Sequence, residues 1–129
     1  MSTPADLKYS STHQWVRVEP DGTATIGITF HAQEQLGDVV FVQNPDIGRK
    51  LAQGEGCGVI ESVKAAADVY APLSGEVVAT NPDLETAPQS LNETPYSAWL
   101  FRMKLDDAGE LDGLLDAAAY EKVAEADKD

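Results

Sequence analysis

The chain has 129 residues, of which 43% are hydrophobic and 24% charged, and its formal net charge at pH 7 is -13. This composition is typical of one globular domain, and no apolar run approaches the roughly 20 residues that span a bilayer. So negative a charge disfavours nucleic acid and anionic lipid as partners, and it either favours proteins with basic docking surfaces or only maintains solubility. The single cysteine excludes an internal disulfide, and one Cys with two His is too few for a zinc cage.

The first third of the chain predicts a hairpin followed by one short helix. Residues 14–19 and 23–28 alternate between apolar and polar side chains on either side of the turn Pro20-Asp21-Gly22. Thr29 is a suitable helix N-cap and Gly37 a suitable helix end, so a short helix is expected between them.

The middle of the chain predicts short strands separated by close turns, at 38–43, 57–63, 68–71 and 75–80. This spacing favours a small sandwich or barrel over βαβ units. A weak internal echo links Gly37-Asp38-Val39-Val40 with Gly75-Glu76-Val77-Val78. We interpret the echo as two related half-sheets that face each other, with chance as the alternative.

The last third predicts a surface loop at 83–95, a final strand at 99–104 and two helical stretches. Asp107 with Glu110 fits the start of the first helix, and the second covers about 117–126, with frayed residues at 127–129. The whole chain, 1–129, is thus predicted as one domain, with a β core at about 13–104 and a helical segment at about 107–126.

The segment from Gly58 to Pro72 places Lys64 at an exposed bend between two strands, with small residues after it. A lysine amine is an ammonium ion at neutral pH, and no neighbouring group in the sequence would make this one a nucleophile. Its acylation would therefore need an enzyme and an activated acyl donor. The spacing alone favours an ordinary surface lysine.

Several motifs in the same order resemble the glycine cleavage system H-protein family over nearly the whole chain. They are Glu61-Ser62-Val63-Lys64-Ala65, Asp68-Val69-Tyr70-Ala71-Pro72, His13-Gln14-Trp15-Val16, Thr25-Ile26-Gly27-Ile28-Thr29, Gly37-Asp38-Val39-Val40-Phe41-Val42 and Asn92-Glu93-Thr94-Pro95-Tyr96. The resemblance implies a mainly β, barrel-sandwich hybrid fold of the lipoyl and biotinyl carrier type, with lipoate attached to Lys64.

The resemblance also implies a function and a set of partners. A non-catalytic carrier of this family takes the aminomethyl group of glycine from a pyridoxal-phosphate decarboxylase, the P protein, to a folate-dependent aminomethyltransferase, the T protein. Dihydrolipoyl dehydrogenase, the L protein, then reoxidises it with NAD. Lipoate-attaching enzymes are expected to recognise the segment around the lysine, namely Glu61, Ser62, Val63 and Ala65.

In this family a surface cleft shelters the loaded arm, and here the candidate cleft residues are His13, Gln14, Gln35 and Asp68. Gln14 stands where the family usually has an acidic residue, and Gln35 where some members have a histidine. Both changes make the cleft less charged, which predicts a looser hold on the loaded amine. Backbone hydrogen bonding near turns is the alternative role for His13 and Asp68.

Other interpretations remain open at this stage. Cys57 could be a redox partner for the lipoyl sulfurs, although a buried cysteine packed as a small apolar residue is more common. Biotin carriers usually flank the lysine with methionines, and 2-oxo acid dehydrogenase lipoyl domains usually have an aspartate before it, whereas Val63 and Ala65 flank Lys64. A relay of lipoate to other enzymes, or an unmodified interaction module, is a further alternative.

The first residues of the chain, 1–6, show neither a secretory nor a transit pattern. This predicts a cytoplasmic protein of bacterial type, although a mature mitochondrial chain would look much the same.

Overall fold

The structure, a computed structural model, describes residues 4–126. The strands in this range are β1 (Lys8–Tyr9), β2 (Gln14–Val18), β3 (Thr23–Ile28), β4 (Val39–Gln43), β5 (Lys50–Leu51), β6 (Gly56–Ser62), β7 (Ala66–Tyr70), β8 (Gly75–Thr80) and β9 (Phe101–Leu105). The helices are α1 (Phe30–Leu36), α2 (Asp83–Thr86), α3 (Ser90–Glu93) and α4 (Ala117–Ala126), with a 3-10 helix at Ala108–Gly113. Two antiparallel sheets result, one in the order β1-β2-β3-β9-β8-β5 and one in the order β4-β6-β7.

The two sheets enclose a shared apolar core. Ile26, Phe101 and Met103 from the larger sheet and Ile60 and Val69 from the smaller sheet belong to one buried cluster. Burial of each such side chain stabilises the fold by about 1.5–3 kcal/mol. The two echo segments lie in different sheets, in β4 and β8, as the half-sheet interpretation requires.

A second buried cluster joins the N-terminal strands to the C-terminal helix. It contains Leu7, Tyr9, Trp15 and Tyr120. The Trp15 ring lies over Gly27 of the neighbouring strand, where an added Cβ would come within 2.4 Å of the ring. The Trp15 indole N–H donates to the carbonyl oxygen of Pro95 at 2.9 Å, so the late loop is fixed to this cluster.

Helix α1 has the predicted ends. The Thr29 side chain accepts a hydrogen bond from the backbone N–H of Ala32, which satisfies one of the free donors of the first turn. Gly37 ends the helix with a φ of 78°, a left-handed conformation that glycine adopts without steric cost. This helix crosses from the larger sheet to the start of β4.

Three features of the chain differ from the sequence prediction. The stretch 83–95 is not a plain loop, because it contains the short helices α2 and α3. The helix predicted from Asp107 is a 3-10 helix over Ala108–Gly113, capped by the Asp107 side chain on the N–H of Gly109. The two-residue strands β1 and β5 were not predicted, because so short a segment carries no periodicity.

The remaining element predictions agree with the structure to within about two residues, and helix α4 matches at both ends. Residues 1–3 and the fraying predicted for 127–129 lie outside the described residues. Within residues 4–126 no helix has both the length and the apolar character needed to cross a membrane.

Candidate functional site

Lys64 lies at the exposed tip of the β6–β7 hairpin. Between the two strands the backbone N–H of Ser62 donates to the carbonyl oxygen of Ala65 at 2.8 Å, which closes a tight turn. The Ser62 hydroxyl donates to the same carbonyl and accepts from the Ala65 N–H, both at 3.1 Å. The turn therefore depends on a serine two positions before the lysine, and the small Ala65 leaves the lysine accessible.

The corner between α1 and β4 supports the lysine from one side. A Cβ on Gly37 would lie 3.3 Å from Cε of Lys64, so the lysine stem passes directly over this glycine. The Asn92 amide holds the same corner. It donates to the carbonyl oxygen of Gly37 and accepts from the N–H of Val39, each at 2.8 Å. The tip is also bonded to the corner through the N–H of Val63, which donates to the Asp38 carbonyl at 3.0 Å.

A cavity of about 170 Å³ lies beside β7, and the four predicted cleft residues His13, Gln14, Gln35 and Asp68 all line it. The rest of its lining is largely apolar and includes Ile28, Leu36, Ile60 and Val69. Of three larger cavities, those of about 420 and 650 Å³ contain none of the four, and the one of about 340 Å³ contains Asp68 alone. Residues separated by 55 positions in sequence thus meet at one small site.

The imidazole of His13 is fixed by residues remote in sequence. Its Nδ1 lies 2.7 Å from the hydroxyl oxygen of Tyr120, and its ring centroid lies 4.7 Å from that of His31. The φ angle of His13 is 73°, a left-handed conformation that few residues other than glycine adopt. His31 on α1 therefore packs against a residue of the candidate cleft.

Gln14 lines the cavity with a side chain that is already fully engaged. Its Oε1 accepts hydrogen bonds from the hydroxyls of Ser10 and Thr12, and its Nε2 donates to the Thr12 carbonyl at 3.0 Å. The side chain is only 2% exposed. This orientation of the amide follows from its partners, since a carbonyl oxygen needs a donor and two hydroxyls can supply protons.

Gln35 and Asp68 differ from Gln14 in that both are exposed. Gln35 lies on α1 and Asp68 on β7, so they stand on opposite elements at the cavity's rim. The exposed carboxylate of Asp68 gives the rim a charged acceptor, although solvent weakens any ion pair formed there.

Large apolar side chains are exposed close to the lysine. Val63 at the tip is 70% exposed, and Val40 and Phe41 on the adjacent strand are 54% and 50% exposed. Phe41 pairs with Glu61 across the β4–β6 ladder, which is irregular at Val40. The hairpin thus presents apolar surface and a carboxylate side by side.

Cys57 lies on β6 but does not line the cavity that contains His13. It is buried, and its thiol donates to the Val69 carbonyl at 3.4 Å. Burial raises the pKa of the thiol to about 11. Since the thiolate is the reactive form, this geometry favours the interpretation of a packed apolar residue.

Sequence reasoning gave Tyr120 and Asn92 no role in the site and predicted Thr29 only as the cap of α1, but all three hold the site together from outside it. The Tyr120 hydroxyl also lies 2.7 Å from Oγ1 of Thr29, so one tyrosine contacts both His13 and the cap of α1. No local sequence pattern marks these long-range contacts, because the partners lie up to 107 positions away. Among the described residues no group of three or more His, Cys, Asp or Glu is placed to hold a metal ion.

Comparison with known proteins identifies the family. The glycine cleavage H-protein family model matches residues 7–127. The glycine cleavage system H protein of Nitrosomonas europaea is 61% identical over 127 residues, 98% of each chain. That of Idiomarina loihiensis is 62% identical over 125 residues, 96% of this chain and 97% of its own.

A solved structure agrees with this assignment. The crystal structure of a glycine cleavage system H protein from Mycobacterium marinum has a TM-score of 0.84 at 38% identity, and the match covers 92% of this chain and 96% of that one. The predicted mainly β, barrel-sandwich fold is thereby confirmed. A match of this extent in sequence and in fold shows that the chain belongs to the glycine cleavage H-protein family.

Proposed function

We propose that this chain is a lipoyl carrier in which lipoate is joined by an amide bond to Nζ of Lys64. It takes the aminomethyl group of glycine from the pyridoxal-phosphate decarboxylase to the folate-dependent aminomethyltransferase, and dihydrolipoyl dehydrogenase then reoxidises it with NAD. The observation that carries this proposal is the pairing of an exposed lysine, at the tip of a tight hairpin, with a cavity along the strand that follows it.

The dimensions of the site fit the group. About twelve bonds separate the Cα of a lipoylated lysine from the dithiolane ring, which is roughly the length of four extended residues, about 14 Å. Asp68 follows Lys64 by four residues, so their Cα atoms are at most about 13 Å apart at 3.3 Å per residue, and the arm is long enough to reach the cavity's rim. The cavity of about 170 Å³ is smaller than the roughly 300 Å³ of a site for a compact ligand, so it suits the end of a slender arm.

When attached, lipoate would supply a redox-active disulfide able to carry one aminomethyl group. Lys64 contributes the amine and loses its charge, and the turn formed by Ser62 and Ala65 keeps the attachment point clear of bulky neighbours. Asp68 offers a carboxylate to an amine at the cavity's rim, and His13 offers a fixed imidazole. A charge-assisted hydrogen bond contributes about 1.5–3 kcal/mol against about 0.5–1.5 for a neutral one, and exposure of Asp68 reduces the larger value.

Recognition by the lipoate-attaching enzyme is assigned to Glu61, Ser62, Val63 and Ala65 around the lysine. The exposed Val40 and Phe41 extend this surface onto β4. Its apolar and acidic character, on a chain with a net charge of -13, suits an enzyme that presents an apolar pocket with a basic rim.

The carrier acts as a substrate of its partner enzymes and not as a catalyst. We place it in the cytoplasm because the relatives named above are bacterial, and we treat residues 1–129 as a single lipoyl-carrier domain. The P, T and L proteins and the attaching enzymes are its partners in this scheme, with neither nucleic acid nor membrane among them.

The test begins with intact mass after coexpression with a lipoate-attaching enzyme. We expect the wild-type chain to gain one lipoyl group and Lys64→Arg to gain none, with equal circular dichroism. Lys50→Arg, which alters another exposed lysine, should gain the group in full. The modified chain should then support glycine-dependent reduction of NAD when the three enzymes and tetrahydrofolate are added.

Two results would refute this proposal. A lipoyl group retained on Lys64→Arg would move the attachment to another residue. Reduction of NAD with glycine by the carrier in the absence of the three enzymes would contradict its passive role.

A further inference from the structure

The hydroxyl of Tyr120 on the C-terminal helix α4 contacts His13, which lines the cavity, and Thr29, which caps the helix α1 beside it. Its oxygen lies 2.7 Å from Nδ1 of His13 and 2.7 Å from Oγ1 of Thr29. His13 and Thr29 are also joined directly, because the N–H of Thr29 donates to the His13 carbonyl at 3.1 Å. The side chain of Tyr120 in the C-terminal helix therefore joins His13 and Thr29, in the first third of the chain, in one hydrogen-bonded network.

Each side of the cavity depends on this network for a physical reason. His13 has a left-handed backbone conformation, which costs a residue with a side chain about 1–2 kcal/mol and persists only where its contacts hold it. Thr29 is the N-cap of α1, and α1 carries Ala32, Gln35 and Leu36 of the cavity lining. A shift at Tyr120 would thus reach both the imidazole and the helix.

The hydrogen-bond pattern also sets the proton position on the imidazole. Oγ1 of Thr29 already accepts from the N–H of Ala32, and its side chain is fully buried. We assign its own proton to the oxygen of Tyr120 and the Tyr120 proton to Nδ1 of His13, an arrangement in which each hydroxyl donates once. Nδ1 is then an acceptor, which leaves the ring proton of His13 on Nε2.

We propose that Tyr120 is a positioning residue of the cavity, because it holds the His13 imidazole in its Nε2–H form and anchors the start of α1. The C-terminal helix α4 then fixes the geometry of the site and does not only pack against the sheets. This inference rests on the proposed function only for the identity of the occupant, the loaded lipoyl arm.

Removal of the hydroxyl alone is a clean test, since the ring packs independently of it. Tyr120 stacks on Tyr9 with ring centroids 4.8 Å apart and an interplanar angle of 16°, and both side chains are buried. Tyr120→Phe keeps this stack. Tyr96→Phe is the matched control, because the Tyr96 hydroxyl accepts from the N–H of Phe30 at the start of α1, and the variant removes a hydroxyl beside the same helix.

The first measurement is independent of any arm. Carbon and nitrogen NMR of the His13 ring in the unlipoylated protein should show mainly the Nε2–H form in the wild type and in Tyr96→Phe, and a mixture of both forms in Tyr120→Phe. A tautomer population unchanged by Tyr120→Phe would overturn the proposal, whatever the stability of the variant.

The second measurement uses the lipoylated, aminomethyl-loaded protein. Release of ammonia without the aminomethyltransferase should be about three- to tenfold faster in Tyr120→Phe than in the wild type, as expected for the loss of one neutral hydrogen bond. The extent of lipoylation should be equal. A changed tautomer with an unchanged rate would support the positioning role and contradict the cavity as the arm's shelter, so the two ideas fail separately.

Discussion

The Lys64 hairpin and the hydrogen-bonded network of His13, Thr29 and Tyr120 are stabilised in opposite ways. The hairpin's turn is held by bonds among neighbouring residues 62–65, and its tip is exposed. The network is held by hydrogen bonds that span 91 and 107 positions of the sequence, and its members Thr29 and Tyr120 are buried. In the proposed function the hairpin presents Lys64 to enzymes, whereas the network of His13, Thr29 and Tyr120 fixes the geometry of the cavity lining.

The two regions should therefore tolerate different kinds of substitution. An exposed turn with few buried contacts opens locally at little cost, so substitutions there should affect modification more than global stability. A buried network loses several bonds when one member changes, so substitutions there should affect stability and the cavity together. Three predictions test this contrast, in order of decreasing effect on the protein.

The largest effect on stability is expected at Gln14, a buried residue of the cavity lining. Gln14→Glu keeps an acceptor for the hydroxyls of Ser10 and Thr12 but sets a second carboxylate oxygen against the Thr12 carbonyl. We expect the free energy of unfolding at pH 7 to fall by about 1–3 kcal/mol, measured by urea denaturation.

The loss should shrink on acidification, because burial raises the pKa of the new carboxyl above its unfolded value and the protonated form can donate to the Thr12 carbonyl. Gln35→Glu is the control, since this exposed side chain lines the same cavity and should change stability by no more than about 0.5 kcal/mol. Equal losses in the two variants would contradict the contrast between buried and exposed lining.

A smaller effect is expected at the hairpin. Ser62→Ala removes the hydroxyl that bonds both backbone groups of Ala65. Hydrogen exchange at the Ala65 amide should accelerate by the equivalent of about 0.5–1.5 kcal/mol, and the rate of lipoate attachment should fall. The urea midpoint should stay nearly unchanged, because local opening of an exposed turn precedes global unfolding.

Ser97→Ala, at another exposed serine, serves as the control for this variant and should alter neither rate. A fall in global stability of several kcal/mol in Ser62→Ala would show that the turn belongs to the cooperative core.

The smallest effect is expected at Cys57, which is buried on β6. With the pKa of its thiol raised to about 11 by burial, little thiolate exists at pH 8. The native protein should therefore react with an aromatic disulfide reagent only after urea is added, as followed by absorbance. Rapid reaction of the folded protein, with or without lipoate, would revive the redox interpretation of this cysteine.

Elements with contiguous signals were predictable from the sequence. The β2–β3 hairpin follows from alternation around a Pro-Asp-Gly turn, and α1 follows from its Thr29 cap and its Gly37 end. The helices α2 and α3 were not predicted, because four residues make one turn without a period and their stability comes from buried Leu84 and Leu91. The 3-10 form after Asp107 was missed because a cap of this type does not distinguish the two helices.

In the candidate site, too, features that depend on neighbouring residues were predictable, and features that depend on long-range contacts were not. The sequence by itself predicted an exposed bend at Lys64, since strand, turn and strand signals around it are adjacent and act over a few residues, whereas its role as the attachment site was implied by the family resemblance and not by this spacing. Only the tertiary structure decided that His13, Gln14, Gln35 and Asp68 line one cavity, that Gln14 is bonded to its own segment, and that Tyr120 holds the imidazole. The physical reason is that hydrogen bonds and packing act over a few ångströms in space, and a contact across about a hundred residues leaves no periodic trace in the chain.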